Sequence, residues 1–145
     1  MAIATGIPYQ EVYDALSEVM NAGKVRPAGK RTPRTGTPME AAKTYLASVG
    51  WEWVPVMKIG SGCTMHLCAE ELPGGRIVTR LSRHFCAVVD GEIHDTFDPN
   101  DRGVTIYPPG CPQDQIPKGA RWLENGNGWA YSPQRCVYGY WRKSA

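Results

Sequence analysis

The chain has no long apolar run. A bilayer-spanning helix needs about 20 consecutive apolar residues, so the sequence predicts no membrane association. The opening residues, MAIATGIPYQ, carry neither the basic stretch nor the apolar core of a secretory leader. The expected location is therefore the cytoplasm. A large charge excess is also missing: 16 basic and 14 acidic residues leave a net charge of +2. That balance argues against whole-molecule attraction to nucleic acid, and no nucleic-acid-binding motif is present. The five cysteines are an odd number. Without a leader, this predicts reduced thiols rather than a disulfide framework.

One local absence says more. No acid occurs between Glu18 and Glu40, yet Lys24, Arg26, Lys30, Arg31 and Arg34 all fall within that interval. Pro27, Gly29, Pro33 and Gly36 break up the same stretch. Residues 23–36 thus read as a basic loop, either a solvated connector or an electrostatic handle for an acidic partner.

What is present fits one domain spanning residues 1–145. Tyr9, Val12, Tyr13, Leu16 and Met20 recur at three- and four-residue steps and predict a helix over Pro8–Asn21. Pro8 suits its first turn. Thr37-Pro38-Met39-Glu40 reads as a capping box with proline at the first helical position, and Gly50 as the stop of a second helix. From Trp51 onward the pattern changes to strands, at 51–57, 76–82, 84–90, 92–97, 104–107 and 136–141. Residues 108–133, rich in Pro, Gly and Asn, read as a long irregular loop. Helices followed by an antiparallel sheet make an α+β fold.

Asp90-Gly91 is a strong two-residue hairpin signal. If these two residues form the turn, Val89 faces Glu92, Cys86 faces Asp95 and His84 faces Phe97. His84, Cys86 and Asp95 then share one face, with His84 diagonal to Asp95, and His94 lies on the other. An imidazole beside a carboxylate is the orienting half of a hydrolytic triad, in which the acid fixes the tautomer and a nucleophile meets the other nitrogen. An ordinary ion pair on a sheet face has the same pattern.

The blocks AIATGIPYQEVYDAL, YLASVGWEWVPVMKIGSGCTMHL, LPGGRIVTRLSRHFCAVVDGEIHDTFDP and RCVYGYW resemble papain-like (C39-like) cysteine peptidase proteins of phages and mobile elements. The resemblance implies a papain-like fold, with N-terminal helices packed on an antiparallel sheet. It makes His84 the general base and Asp95 its orienter. The family's catalytic cysteine lies just before AIATG, at the start of the first helix, where the helix end favours a thiolate. That position falls before Met1.

Two functions follow. The first is a catalytically inactive, peptidase-like binding protein that inhibits a host defence complex, such as a CRISPR effector, by occupying a protein or nucleic-acid-binding surface. Its expected contacts are Lys24, Arg26, Lys30, Arg31 and Arg34, with Trp122 and Trp129 as aromatic anchors. The second is an active cysteine peptidase or acyl-transfer enzyme that uses His84 and Asp95 with an upstream cysteine, or with Cys63 in its Gly-rich bend. Cys86 is a weaker substitute and reads better as a packed thiol. Cys63, His66 and Cys68 form a C-x2-H-x-C cluster, but the spacing matches no common zinc framework. Neither metal nor cofactor is expected.

Overall fold

The computed structural model describes residues 1–22, 32–96, 98–100, 103–118, 120–131 and 133–145. The described chain is α+β and divides into two compact units. Unit 1 comprises Met1–His94 with Cys136–Ala145, and unit 2 comprises Asp95–Arg135.

In unit 1, the short helix α1 (Ala2–Thr5) ends at Gly6 in the left-handed conformation, and α2 (Tyr9–Asn21) follows. Pro8 takes the N-cap position, one step outside the helix, where its missing N–H still costs no hydrogen bond. Val12, Leu16 and Met20 form the buried stripe. Helix α3 (Met39–Ser48) buries Ala41, Ala42, Tyr45 and Leu46. The expected capping box does not form. Pro38 itself is the N-cap and no side chain caps the helix, so proline has displaced the cap that Thr37 was to supply.

The sheet of unit 1 has the order β1-β8-β2-β3-β4, with every neighbouring pair antiparallel. Its strands are β1 (Trp51–Pro55), β2 (Arg76–Leu81), β3 (His84–Val89), β4 (Glu92–His94) and β8 (Gly139–Lys143). Asp90 and Gly91 both have positive φ, 50° and 83°, as the tight turn requires. The β3–β4 register follows as expected, pairing Val89 with Glu92, Val88 with Ile93 and Ala87 with His94.

Strand alternation divides the residues between two faces. Trp53, Trp141, Val78 and Ala87 are directly paired across four strands and pack with Ala4, Val12, Leu16, Ala42, Tyr45 and Leu46 under the helices. The Trp141 ring lies 4.4 Å from that of Trp53 and 5.7 Å from that of Phe85, centroid to centroid. The opposite face carries Ile77, Leu81, Cys86, Val88 and Tyr140. It is covered by Leu67, Leu72 and Val137 rather than by a helix.

Unit 2 contains the strand expected at 104–107 and corrects the expectation that 108–133 is irregular. It contains a three-stranded antiparallel sheet of order β5-β7-β6, built from β5 (Thr105–Tyr107), β6 (Arg121–Trp122) and β7 (Trp129–Tyr131). Strands of two and three residues are too short to show an alternation among so many turn formers. Gly128, at φ 120°, is required here because any Cβ would strike the Tyr107 carbonyl.

Candidate functional site

The hairpin expected to carry the catalytic pair forms, with a described ladder shorter than the expected register. Ladder pairing ends at Ala87–His94, before the Cys86–Asp95 and His84–Phe97 pairs on which the diagonal rested. Phe97 lies outside the described residues. Asp95 is the first residue of unit 2, where its Oδ1 accepts the Thr96 N–H at 2.7 Å. His84 begins β3 opposite Leu81. Its alternation places it with Cys86 and Val88, on the face away from the helices. Met1, Ala2 and Ala4, by contrast, pack with Phe85 and Ala87 on the other face.

The cysteines also depart from expectation. Cys63 and Cys136 form a disulfide, with Cα atoms 5.7 Å apart and a sequence separation of 73. The expectation of five reduced thiols is thereby corrected. Cys63, proposed as a substitute nucleophile, has no thiolate to offer while it is bonded. Cys86 is 1% exposed, and the Thr79 hydroxyl donates to its backbone carbonyl at 3.2 Å, consistent with a packed thiol. Burial pushes the Cys68 thiol up, and the charges of Glu71 and Glu70 add to the shift against a backbone hydrogen bond that lowers it. Cys68 is therefore held as a thiol at neutral pH.

A carboxylate–imidazole pair forms between His66, considered above only within the Cys63–Cys68 cluster, and Glu71, which the sequence pattern did not single out. His66 Nδ1 lies 3.1 Å from Glu71 Oε2 and 3.2 Å from Oε1, and the same carboxylate accepts the His66 backbone N–H at 2.6 Å. The local fold explains the pairing. The Cys68 N–H donates to the His66 carbonyl, and the Glu71 and Leu72 N–H groups donate to the Cys68 carbonyl. This compact turn brings position 71 back to position 66. Leu67 and Leu72 are buried against the sheet and hold the turn in place, while the His66 and Glu71 side chains remain 42% and 41% exposed. His66 also forms an antiparallel bridge with Cys136, and the Val137 N–H donates to the Met65 carbonyl at 2.9 Å. The bridge sets the Cβ atoms of His66 and Cys136 side by side, about 5 Å apart. The only available sequence signal was the density of Cys, His and Glu in CTMHLCAEE.

Of the basic cluster, Lys24, Arg26, Lys30 and Arg31 lie outside the described residues. Arg34 sits in a single 3-10 turn, Pro33–Thr35, with its guanidinium carbon 5.9 Å from the centroid of the Tyr13 ring. In unit 2, Trp122 pairs with Trp129 across β6 and β7, and Trp129 pairs with Tyr107 across β5. The two indoles meet edge to face, 5.2 Å apart, and Trp122 is 46% exposed. Arg121 to Asn125 line an open notch of about 610 Å³ beside them.

Among the described residues, no three His, Cys, Asp or Glu side chains converge as a metal site, and no helix is long and apolar enough to cross a membrane. No family model, curated protein or solved structure matches this chain.

Proposed function

We propose that the chain is a binding protein built on a hydrolase-like scaffold, and not a cysteine peptidase. The observation that carries this reading is the face on which His84 lies. A nucleophile at the head of α1 would approach the sheet on the Phe85–Ala87 side, whereas His84 alternates to the Cys86–Val88 side. A general base must come within hydrogen-bond reach of the proton it removes. The Cys63–Cys136 disulfide gives further support by occupying the substitute nucleophile.

The partner in this proposal is a host protein or ribonucleoprotein defence complex. The family resemblance and the basic cluster around Arg34 support that choice. Trp122 and Trp129 add an anchor of the kind that dominates protein interfaces, a large ring with one exposed side. The test is size-exclusion chromatography of the protein with purified candidate complexes, such as a CRISPR effector. A stoichiometric co-eluting species, weakened by Trp122→Ala and by charge reversal at Arg34, is the expected result. Hydrolysis of peptide substrates that disappears with His84→Ala would contradict the proposal and restore the peptidase.

A further inference from the structure

The geometry points to a thiol–disulfide exchange centre made of Cys63, Cys136, His66 and Glu71. This inference goes beyond the binding reading and does not depend on it.

Three placements meet in unit 1. The disulfide joins Cys63, which is exposed, to Cys136, which is partly buried. Cys136 stands opposite His66 in an antiparallel bridge, and directly opposed residues hold their Cβ atoms about 5 Å apart. Nδ1 of that imidazole is engaged by Glu71 at 3.1 Å. A carboxylate on Nδ1 holds the proton there and leaves Nε2 as the acceptor. The arrangement has a sulfur, a base and an orienting acid. In a reducing compartment, the disulfides that occur are mostly catalytic or redox-sensing.

The chemistry balances with a thiol as the only co-reactant. An incoming thiol loses its proton to His66 Nε2, and its sulfur attacks the exposed Cys63 Sγ. The Cys63–Cys136 bond breaks, a mixed disulfide forms on Cys63, and the electron pair leaves on Cys136 Sγ. His66 returns the proton to that sulfur. A second thiol then attacks the substrate sulfur of the mixed disulfide. It releases Cys63 as a thiol and completes an external disulfide. In total, two external thiols are oxidised and one protein disulfide is reduced. The reverse sequence recharges the centre from an external disulfide. Attack at Cys63 is favoured by access, and departure of Cys136 is favoured by the adjacent imidazole. Cys68 is held as a thiol by burial and acidic neighbours. It takes no part.

His66 is thus the general base and Glu71 a positioning residue. The test follows reduction of the intact protein by dithiothreitol and, separately, by glutathione, quenching with iodoacetamide and counting modified cysteines by mass spectrometry. The expected result is that His66→Gln, which keeps much of the volume but shuttles no proton, slows reduction by about tenfold to 100-fold. Glu71→Ala produces part of that loss and Glu71→Asp restores most of it, which a merely structural role for the carboxylate would not predict. Cys68→Ser leaves the rate unchanged. Circular dichroism of each oxidised variant confirms the fold, and alkylation rates of Cys136 in the reduced protein give a second readout of the same base. Equal reduction rates in the wild-type protein and His66→Gln would overturn the inference, as would air-equilibrated protein with five alkylatable thiols.

Discussion

His84 and His66 belong to the same compact unit, yet the chain prepares them in opposite ways. His84 begins a regular strand, and its orientation follows from the alternation of β3 and from a register that Asp90-Gly91 sets. His66 lies in an irregular segment, and its environment is made by contacts. A carboxylate returns to it through a five-residue turn, and a disulfide crosses to it from β8's approach. A regular element decides which face a side chain takes, while an irregular one can gather unlike groups around a single nitrogen. At His66 such a gathering brings together Glu71 and the Cys136 backbone.

Substitutions can break the two regions separately. The largest effect is expected from Cys136→Ser. Opening a loop of 73 positions removes about 4 kcal/mol of stability by the chain-entropy argument. Urea denaturation measures it, and hydrogen exchange should show the loosening in residues 57–66 rather than in β2 and β3. Next comes Gly139→Ala on the sheet. An added Cβ there would overlap the Trp53 ring and approach the Val54 carbonyl at 2.7 Å, at a cost of about 1–3 kcal/mol. It should lower the thermal midpoint without changing how fast the disulfide is reduced.

Thr79→Val is expected to have a smaller effect, about 1 kcal/mol. It removes the donor to the Cys86 carbonyl on the His84 face. The same denaturation assay reads it, again with no change at the disulfide. The smallest effect belongs to Glu52→Gln. Glu52 pairs with Arg142 at 2.7 Å and holds that guanidinium charged, but both side chains are exposed and exposed pairs contribute little. Stability in 0.5 M salt should not distinguish this variant from the wild-type protein.

Much of the His84 region was legible in the sequence because its determinants are local. Asp90-Gly91 specified the turn, and period-two alternation placed His94 opposite Ala87. The ladder's end at His94 was not legible, since nothing in EIHDTF marks where pairing stops. The two longer helices were found, but Pro38 rather than Thr37 takes the cap position of the second and no side chain caps it. The His66 region was hidden for a different reason. Its partners are a cysteine 70 positions away and a glutamate in a segment with no period. Five cysteines offer many pairings, and only the fold selects Cys63 with Cys136. Residues 108–133 were read as a loop because β6 and β7 are shorter than any pattern that could reveal them, whereas β5 fell within the expected strand 104–107.

The account's central claim is that His66, oriented by Glu71, serves the Cys63–Cys136 disulfide. The most direct measurement is site-resolved alkylation of the reduced protein by iodoacetamide, comparing wild type, His66→Ala and His84→Ala by peptide mass spectrometry. The account predicts that Cys136 reacts faster than Cys68 and that Cys86 reacts last, since it is 1% exposed. His66→Ala should slow Cys136 alone, and His84→Ala should change nothing. A result in which His84→Ala lowers cysteine reactivity while His66→Ala leaves Cys136 unaltered would contradict it.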